Sequence, residues 1–304
     1  MTAVTIVEVG PRDGLQNEKA SIPTESKIAF VDALSRSGLK RIEVTAFVSP
    51  KAVPQLADAE AVMRGIVRGP GIRYGALVPN ETGLMRALDV KADEVAVFTA
   101  ASESFNKKNI NASIAESLAR FAPVMQEAKR RSLPVRGYVS TAFWCPFEGR
   151  ITPKAAADVA RKLFDLGCGE VSIGDTIGKA TPKDVRDLAV ALASAGILDR
   201  CAGHFHDTYG MGVANALAAF EAGITVFDGS AGGLGGCPFA PGATGNVATE
   251  ELVWLFEGLG VKTGVDPAKI AEAAAVIEPA LGHPIEGRVF RALRKGSRSS
   301  QNPS

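Results

Sequence analysis

The stretch Gly169–Gly210, "GEVSIGDTIGKATPKDVRDLAVALASAGILDRCAGHFHDTYG", decides the fold. It opens on "GEVSIGD" (169–175), a short apolar run with β-branched residues. Thr181-Pro182 then places an N-cap before a proline at the first helical position, and "TPKDVRDLAVALASAG" (181–196) reads as a helix. Gly196 falls where a helix end wants a left-handed residue, and "AGHFHDT" (202–208) is the next strand. Strand, helix and strand in that order mean two parallel strands joined by a crossover.

The same unit recurs in both directions. Strands are expected at 4–10, 40–46, 72–78, 93–100, 135–141 and 224–230. Helical patterns lie at 24–38, 80–90, 111–132, 152–167 and 212–223, with Thr152-Pro153 as a second N-cap signal and Gly38, Gly167 and Gly223 at helix ends. Eight strands alternating with helices predict an α/β fold, the (β/α)8 TIM barrel, over an open doubly wound sheet. The open sheet would call for a Gly-rich phosphate loop after the first strand, and "VEVGPRDGLQNE" has neither a G-x-G-x-x-G nor a Walker pattern. Extra C-terminal helices are expected at 246–258 and 266–281, the second as a cap or a subunit contact. The expectation is one catalytic domain over 1–290 and a disordered tail over 291–304.

The 304 residues include 34 Lys and Arg against 33 Asp and Glu, so the net charge of +1 offers no electrostatic reason for nucleic acid or an anionic membrane as partner. No apolar run reaches the roughly 18 residues of a membrane span. Cys145, Cys168, Cys201 and Cys237 are scattered with no C-x-x-C, which argues against structural zinc and suits a reducing compartment, the cytoplasm.

In a barrel of this kind chemistry sits at the C-terminal ends of the strands. Unexpected polar residues gather there: Arg12 and Asp13, Glu43, Thr99, Tyr138 and Ser140, Asp175 and Thr176, His204 and His206, then Cys237 and Asn246. Residues i and i+2 of a strand share a face, so His204 and His206 direct two imidazoles at one point, an arrangement that suits a divalent metal. Asp13 is placed to add a carboxylate and Asn246 a carbonyl oxygen. Two nitrogens and two oxygens with open positions favour Mg²⁺ or Mn²⁺ over a closed zinc site. Taken singly each feature has a plain alternative: a structural histidine pair, a core Cys237, a solvated loop. The six glycines in 231–246 permit a close backbone approach to a ligand or a lid.

The segments "GPRDGLQNE" (10–18), "IEVTAFVSPKAVPQLAD" (42–58), "GDTIG" (174–178), "HFHDTYG" (204–210) and "GGLGGCPFAPGATGN" (232–246) together resemble the 3-hydroxy-3-methylglutaryl-CoA lyases, within a superfamily of metal-dependent barrel lyases and synthases. The resemblance runs from about residue 4 to 280. It implies cleavage of an acyl-CoA thioester to acetyl-CoA and acetoacetate, as in leucine degradation and ketone-body metabolism. It places metal ligands on Asp13, His204, His206 and Asn246. It puts the catalytic arginine on Arg12, acids on Glu43 and Asp175, the loop cysteine on Cys237, and a supporting acid on Glu250. In that scheme His204 takes the proton of a tertiary alcohol, with Asp175 sharing the work, Arg12 stabilises the enolate oxygen, and Cys237 protonates or shields the enolate carbon. Gln16, Tyr138, Ser140 and Thr176 are expected to meet substrate, and Lys19, Lys107 and Lys108 to meet CoA phosphates.

Two departures from the family stand out. Ala46 replaces a common serine, and "TAFWCPFEG" replaces a Cys-Ala-Leu-Gly run, bringing Phe143 and Trp144 after the fifth strand. Aromatics at the rim would reshape the acyl pocket and favour a different 3-substituent. An acetyl-CoA-dependent synthase is the rival enzyme, and the roughly 60 residues after Asn246 are too few for the regulatory region such synthases carry. A homodimer through the C-terminal helices is the expected assembly.

Overall fold

In a computed structural model that describes residues 3–236 and 245–299, the chain is the expected (β/α)8 barrel. Its strands, in chain order, are β1 (Thr5–Glu8), β2 (Arg41–Ala46), β3 (Arg73–Leu77), β4 (Glu94–Ala100), β5 (Val135–Ser140), the small antiparallel hairpin β6 (Trp144–Cys145) and β7 (Gly149–Arg150), then β8 (Glu170–Asp175), β9 (Cys201–Phe205) and β10 (Val226–Gly229). The eight barrel strands are parallel and close in the order β1-β2-β3-β4-β5-β8-β9-β10.

The crossover helices are α1 (Thr24–Leu34), α2 (Ala59–Gly65), α3 (Glu81–Asp89), α4 (Glu103–Ile110), α5 (Ile114–Arg130), α6 (Pro153–Leu166), α7 (Pro182–Ser194) and α8 (Gly212–Glu221). Thr152 and Thr181 cap α6 and α7 as expected, each accepting a backbone N–H at the third helical residue, and Gly167 ends α6 at φ +110. Two helices differ from expectation. α2 is short and follows the proline-bearing "SPKAVPQL", which hid its period. The pattern at 111–132 begins only at α5, because α4 is a separate helix capped by Ser102 and stopped by Asn111 at φ +50.

The outer strand faces and the inner helix faces form one continuous apolar core, in which Phe227 stacks on Phe256 at 4.9 Å. Each large side chain buried there contributes about 1.5–3 kcal/mol. The interior of the barrel is different, because much of it is charged. Arg41 on β2 reaches Glu94 on β4 (2.9 Å) and Glu170 on β8 (3.0 Å), and Arg136 on β5 bonds Glu170 (2.7 Å) and Asp228 on β10 (2.6 Å). A small apolar cluster of Ala46, Leu56, Leu77, Ala96 and Tyr138 is separate from that apolar core. A bulge between Glu43 and Thr45 in β2 shifts the alternation, so that both Glu43 and Ala46 face inward.

The C-terminal helices are α9 (Thr249–Gly258), α10 (Pro267–Leu281) and α11 (Arg288–Ser299). α11 occupies most of the stretch expected to be a disordered tail. Its apolar side supplies the reason: Phe290 is buried and Leu293 packs on the core, while Arg294 pairs with Glu278. No helix among the described residues is long and apolar enough to cross a membrane.

Candidate active site

The first strand ends at Glu8 and the chain then turns tightly through Gly10–Gly14, which brings Arg12 and Asp13 over the barrel mouth. Gly10 is required here, since a Cβ on it would lie 2.6 Å from the Glu8 carboxylate. That carboxylate accepts the Gly10 and Ala231 N–H groups and the Thr249 hydroxyl, tying the turn to the start of the Gly-rich loop. Burial pushes the Glu8 carboxyl up to about 7 against those three bonds.

Arg12 is buried and donates from Nε to Glu43 Oε1 and from Nη1 to Asp13 Oδ1, each at 2.5 Å. Tyr138 donates its hydroxyl to Glu43 Oε2 (3.0 Å), and its ring lies between the guanidiniums of Arg12 and Arg136. His204 and His206 project from the end of β9 with ring centroids 5.2 Å apart, and their Nε2 atoms lie 4.0 and 3.8 Å from Asp13 Oδ2. Asn246 donates its amide to Asp13 Oδ2 (2.9 Å) and to the Leu234 carbonyl (3.1 Å). The four residues expected as ligands therefore come together at the barrel mouth, Asn246 through its bond to Asp13. The ligand atoms of Asp13, His204 and His206 all lie within 4.8 Å of one another.

These residues fit a divalent cation in three ways. Burial would raise the Asp13 carboxyl, but the Arg12 guanidinium above all holds it down at about 2, so it is an anion. Burial and the neighbouring His204 push His206 down to about 4, so its ring is neutral and free to ligate. The Nδ1 of His204 faces the Asp228 carboxylate at 3.1 Å, as the second nitrogen of a metal-bound imidazole commonly does, and leaves Nε2 to the cluster.

A cavity of about 510 Å³ opens over this cluster. Gln16, Tyr138, Ser140, Thr176 and Lys108 line it, as expected of substrate-contacting residues, and so do Asn80, Asn111 and Arg120, which the sequence reading missed. Lys19 and Lys107 are exposed and do not line it. Phe143 is buried against Phe205 instead of the cavity, and Trp144 lies in the β6–β7 hairpin beneath the Lys179 ammonium (4.3 Å). The expectation that these two aromatics reshape the acyl pocket is therefore corrected: β6 and β7 carry the run away from the cavity. Ala46 stays beside it, in the interior apolar cluster.

Asp175 does not line the cavity, although Gly174 and Thr176 on either side do. Its oxygens accept the Lys179 and Ala180 N–H groups, and burial pushes its carboxyl up to about 7. Glu250 is fully buried; one oxygen accepts the Gly232 N–H, and burial pushes it up to about 8. Cys237 lies outside the described residues. Asp228, Arg136 and Ser172 were not anticipated. The available signal was parity: Arg136 shares the face of Tyr138, and Ser172 and Asp228 are polar residues inside otherwise apolar runs.

A parallel eight-stranded barrel with an Asp-His-His cluster and a buried Arg–Glu pair at its C-terminal mouth defines a class, the barrel enzymes built around one divalent-metal site. The HMGL-like family model matches residues 3–277, and the chain belongs to that family. It is 51% identical over 292 residues to the mitochondrial hydroxymethylglutaryl-CoA lyase of Mus musculus, covering 96% of this chain and 90% of the relative. The crystal structure of hydroxymethylglutaryl-CoA lyase from Pseudomonas aeruginosa superposes with a TM-score of 0.94 at 50% identity, covering 97% of this chain and 98% of that one. An HMG-CoA lyase from Acinetobacter baumannii, solved with coenzyme A and 3-methylmalate, has a TM-score of 0.90 at 38% identity and covers 95% of each chain. The resemblance read from the motifs is borne out.

Proposed function

We propose that this chain is a hydroxymethylglutaryl-CoA lyase, which breaks the carbon–carbon bond of 3-hydroxy-3-methylglutaryl-CoA to release acetyl-CoA and acetoacetate. The observation that carries this reading is the convergence of Asp13, His204 and His206 beside the Arg12–Glu43 pair, in a chain half identical to such lyases. Asp13, His204, His206 and Asn246 would hold Mg²⁺ or Mn²⁺, with Asn246 turning its amide oxygen toward the ion. The cation supplies the charge that lowers the pKa of the tertiary alcohol and fixes its orientation.

Arg12, a permanent cation held by Glu43 and Asp13, faces the cavity and stabilises the enolate oxygen as the bond breaks. Tyr138 and Glu43 keep its guanidinium in place. His204 serves as ligand and not as base, because one of its nitrogens meets Asp228 and the other faces Asp13. Asp175, buried and bonded to the Lys179 and Ala180 N–H groups, backs the site from outside the cavity and does not itself take the substrate proton. Cys237 delivers the proton to the enolate carbon, and Glu250 supports the Gly-rich loop. Gln16, Ser140 and Thr176 orient the acyl group, and Lys108 meets a CoA phosphate. Exposed Trp254, Leu259 and Val276, on or beside the C-terminal helices, support a homodimer, which sedimentation would test. The free, buried Cys145, Cys168 and Cys201 suit a reducing compartment, and we place the chain in the cytoplasm.

The test is acetyl-CoA release from 3-hydroxy-3-methylglutaryl-CoA after chelation, with Mg²⁺ or Mn²⁺ restored, in wild type and His204→Ala. Metal-dependent release that the variant loses is the expected result. A wild type that releases no acetyl-CoA with either metal would overturn the reading.

A further inference from the structure

Asp228 lies on β10 in register with His204, one strand away, and is almost completely buried. None of the strand-end chemistry uses it, yet each of its oxygens is engaged. Oδ1 accepts Arg136 Nη2 at 2.6 Å; Oδ2 accepts the Ser172 hydroxyl at 2.8 Å and lies 3.1 Å from His204 Nδ1. A carboxylate bonded to a guanidinium at this depth is an anion and only accepts hydrogen bonds. The proton of a neutral His204 therefore sits on Nδ1, and the Nε2 lone pair is the one that faces Asp13.

We propose that Asp228 is a positioning residue: it sets the tautomer and the ring orientation of His204, so that Nε2 is ready to bind the divalent cation. The role rests on the metal-site reading above. Arg136 on β5 and Ser172 on β8, neither strand adjacent to β10, hold the carboxylate from across the interior, so its direction does not depend on the histidine. The same guanidinium donates to the Tyr138 hydroxyl at 2.7 Å, and through Tyr138 and Glu43 it reaches Arg12. One buried cation thus fixes both the ligand side and the cationic side of the mouth.

The substitution that separates this role from plain packing is Asp228→Asn. It conserves shape, and Arg136 would hold the new amide oxygen, turning the amide NH2 toward His204 Nδ1. That reverses the tautomer and puts a proton on the ligating nitrogen. The full-length protein should then bind Mn²⁺, followed by electron paramagnetic resonance, about 10- to 100-fold more weakly than wild type. ¹⁵N spectra of the metal-free wild type should show the His204 proton on Nδ1, and those of Asp228→Asn should show it on Nε2. Ser172→Ala keeps the carboxylate and its arginine, so it folds where Asp228→Asn does not, and it should weaken Mn²⁺ by a few-fold. Mn²⁺ bound as tightly by Asp228→Asn as by wild type would overturn the proposal, as would a wild-type His204 protonated on Nε2. Wild type that binds Mn²⁺ but releases no acetyl-CoA from 3-hydroxy-3-methylglutaryl-CoA would instead overturn the lyase reading and leave the Asp228 role standing.

Discussion

Toward the N-terminal end of the barrel, Arg41, Arg73 and Arg136 face Glu94 and Glu170, with Asp228, level with His204, as the third carboxylate to three guanidiniums. At the C-terminal end a single guanidinium, Arg12, faces both Asp13 and Glu43, with two imidazoles alongside. Similar groups occupy both ends with different charge balances. The inner network neutralises itself and closes the interior, whereas the contact cluster of Arg12, Asp13 and Glu43 keeps one negative charge in excess beside His204 and His206. A self-neutralised network holds shape. An under-neutralised one, walled by buried residues, recruits a cation.

Substitutions at the two ends should therefore fail in different measurements. The largest effect expected is that of His206→Ala, which removes a ligand from the mouth. It should lower kcat on the order of 10⁴-fold, equivalent to about 5 kcal/mol of transition-state stabilisation, and leave the urea midpoint without Mn²⁺ near that of wild type. Acetyl-CoA release and chemical denaturation measured together decide this, and a collapse of stability would break the comparison. Next is Arg136→Met in the inner network, which leaves Asp228 and Glu170 short of a partner in a dry interior. It should reduce unfolding free energy by about 3–5 kcal/mol. Its counterpart at the mouth, Arg12→Gln, should lower kcat by about 10²–10³-fold with the smaller loss of stability of the two.

Acid and base sharpen the contrast. The inner carboxylates are paired with arginines, but Glu8, Asp175 and Glu250 near the mouth are raised by burial to about 7, 7 and 8. A raised carboxyl binds its proton more tightly folded than unfolded, so its contribution is complete below the unfolded pKa and is lost as pH rises through the folded one. Stability should accordingly fall as pH rises from about 4.5 to about 8 and level off above that. Glu250→Gln, which mimics the protonated acid, should be roughly 2–3 kcal/mol better off relative to wild type at pH 9 than at pH 6. Equal slopes for the two proteins in urea unfolding across that range would remove Glu250 from the account.

The mouth was far more legible in the sequence than the inner network. Asp13, His204, His206 and Asn246 could be proposed from the sequence because H-x-H on a strand puts both rings on one face, and because strand ends are where a barrel exposes polar groups. Arg136, Ser172 and Asp228 were passed over because they lie inside runs such as "VRGYVST" and "ITVFDGS", where a polar residue reads as an interruption of an apolar strand. Their partners lie on other strands; Arg136 and Asp228 are 92 positions apart, and only barrel closure brings them together. The aromatics Phe143 and Trp144 failed in the opposite direction. Their place after β5 put them at the mouth in sequence, but the β6–β7 hairpin carries them off it.

The smallest effect tests whether exposed charges at the two ends also differ in kind. Lys108 lines the cavity with its ammonium 3.8 Å from the centre of the Phe147 ring, while Arg73, half exposed at the floor, lies 3.5 Å from Glu94. An exposed ion pair is worth about 0–1 kcal/mol, because water screens it and long side chains lose freedom in forming it. Arg73→Ala should therefore lower stability by less than about 1 kcal/mol and leave KM alone. Lys108→Ala removes a charge from the path of a polyanionic thioester, so it should raise KM about 2- to 5-fold, with kcat unchanged and the difference fading at high salt. If Arg73→Ala raised KM as much as Lys108→Ala, the charge felt by the substrate would belong to the whole barrel rather than to its mouth.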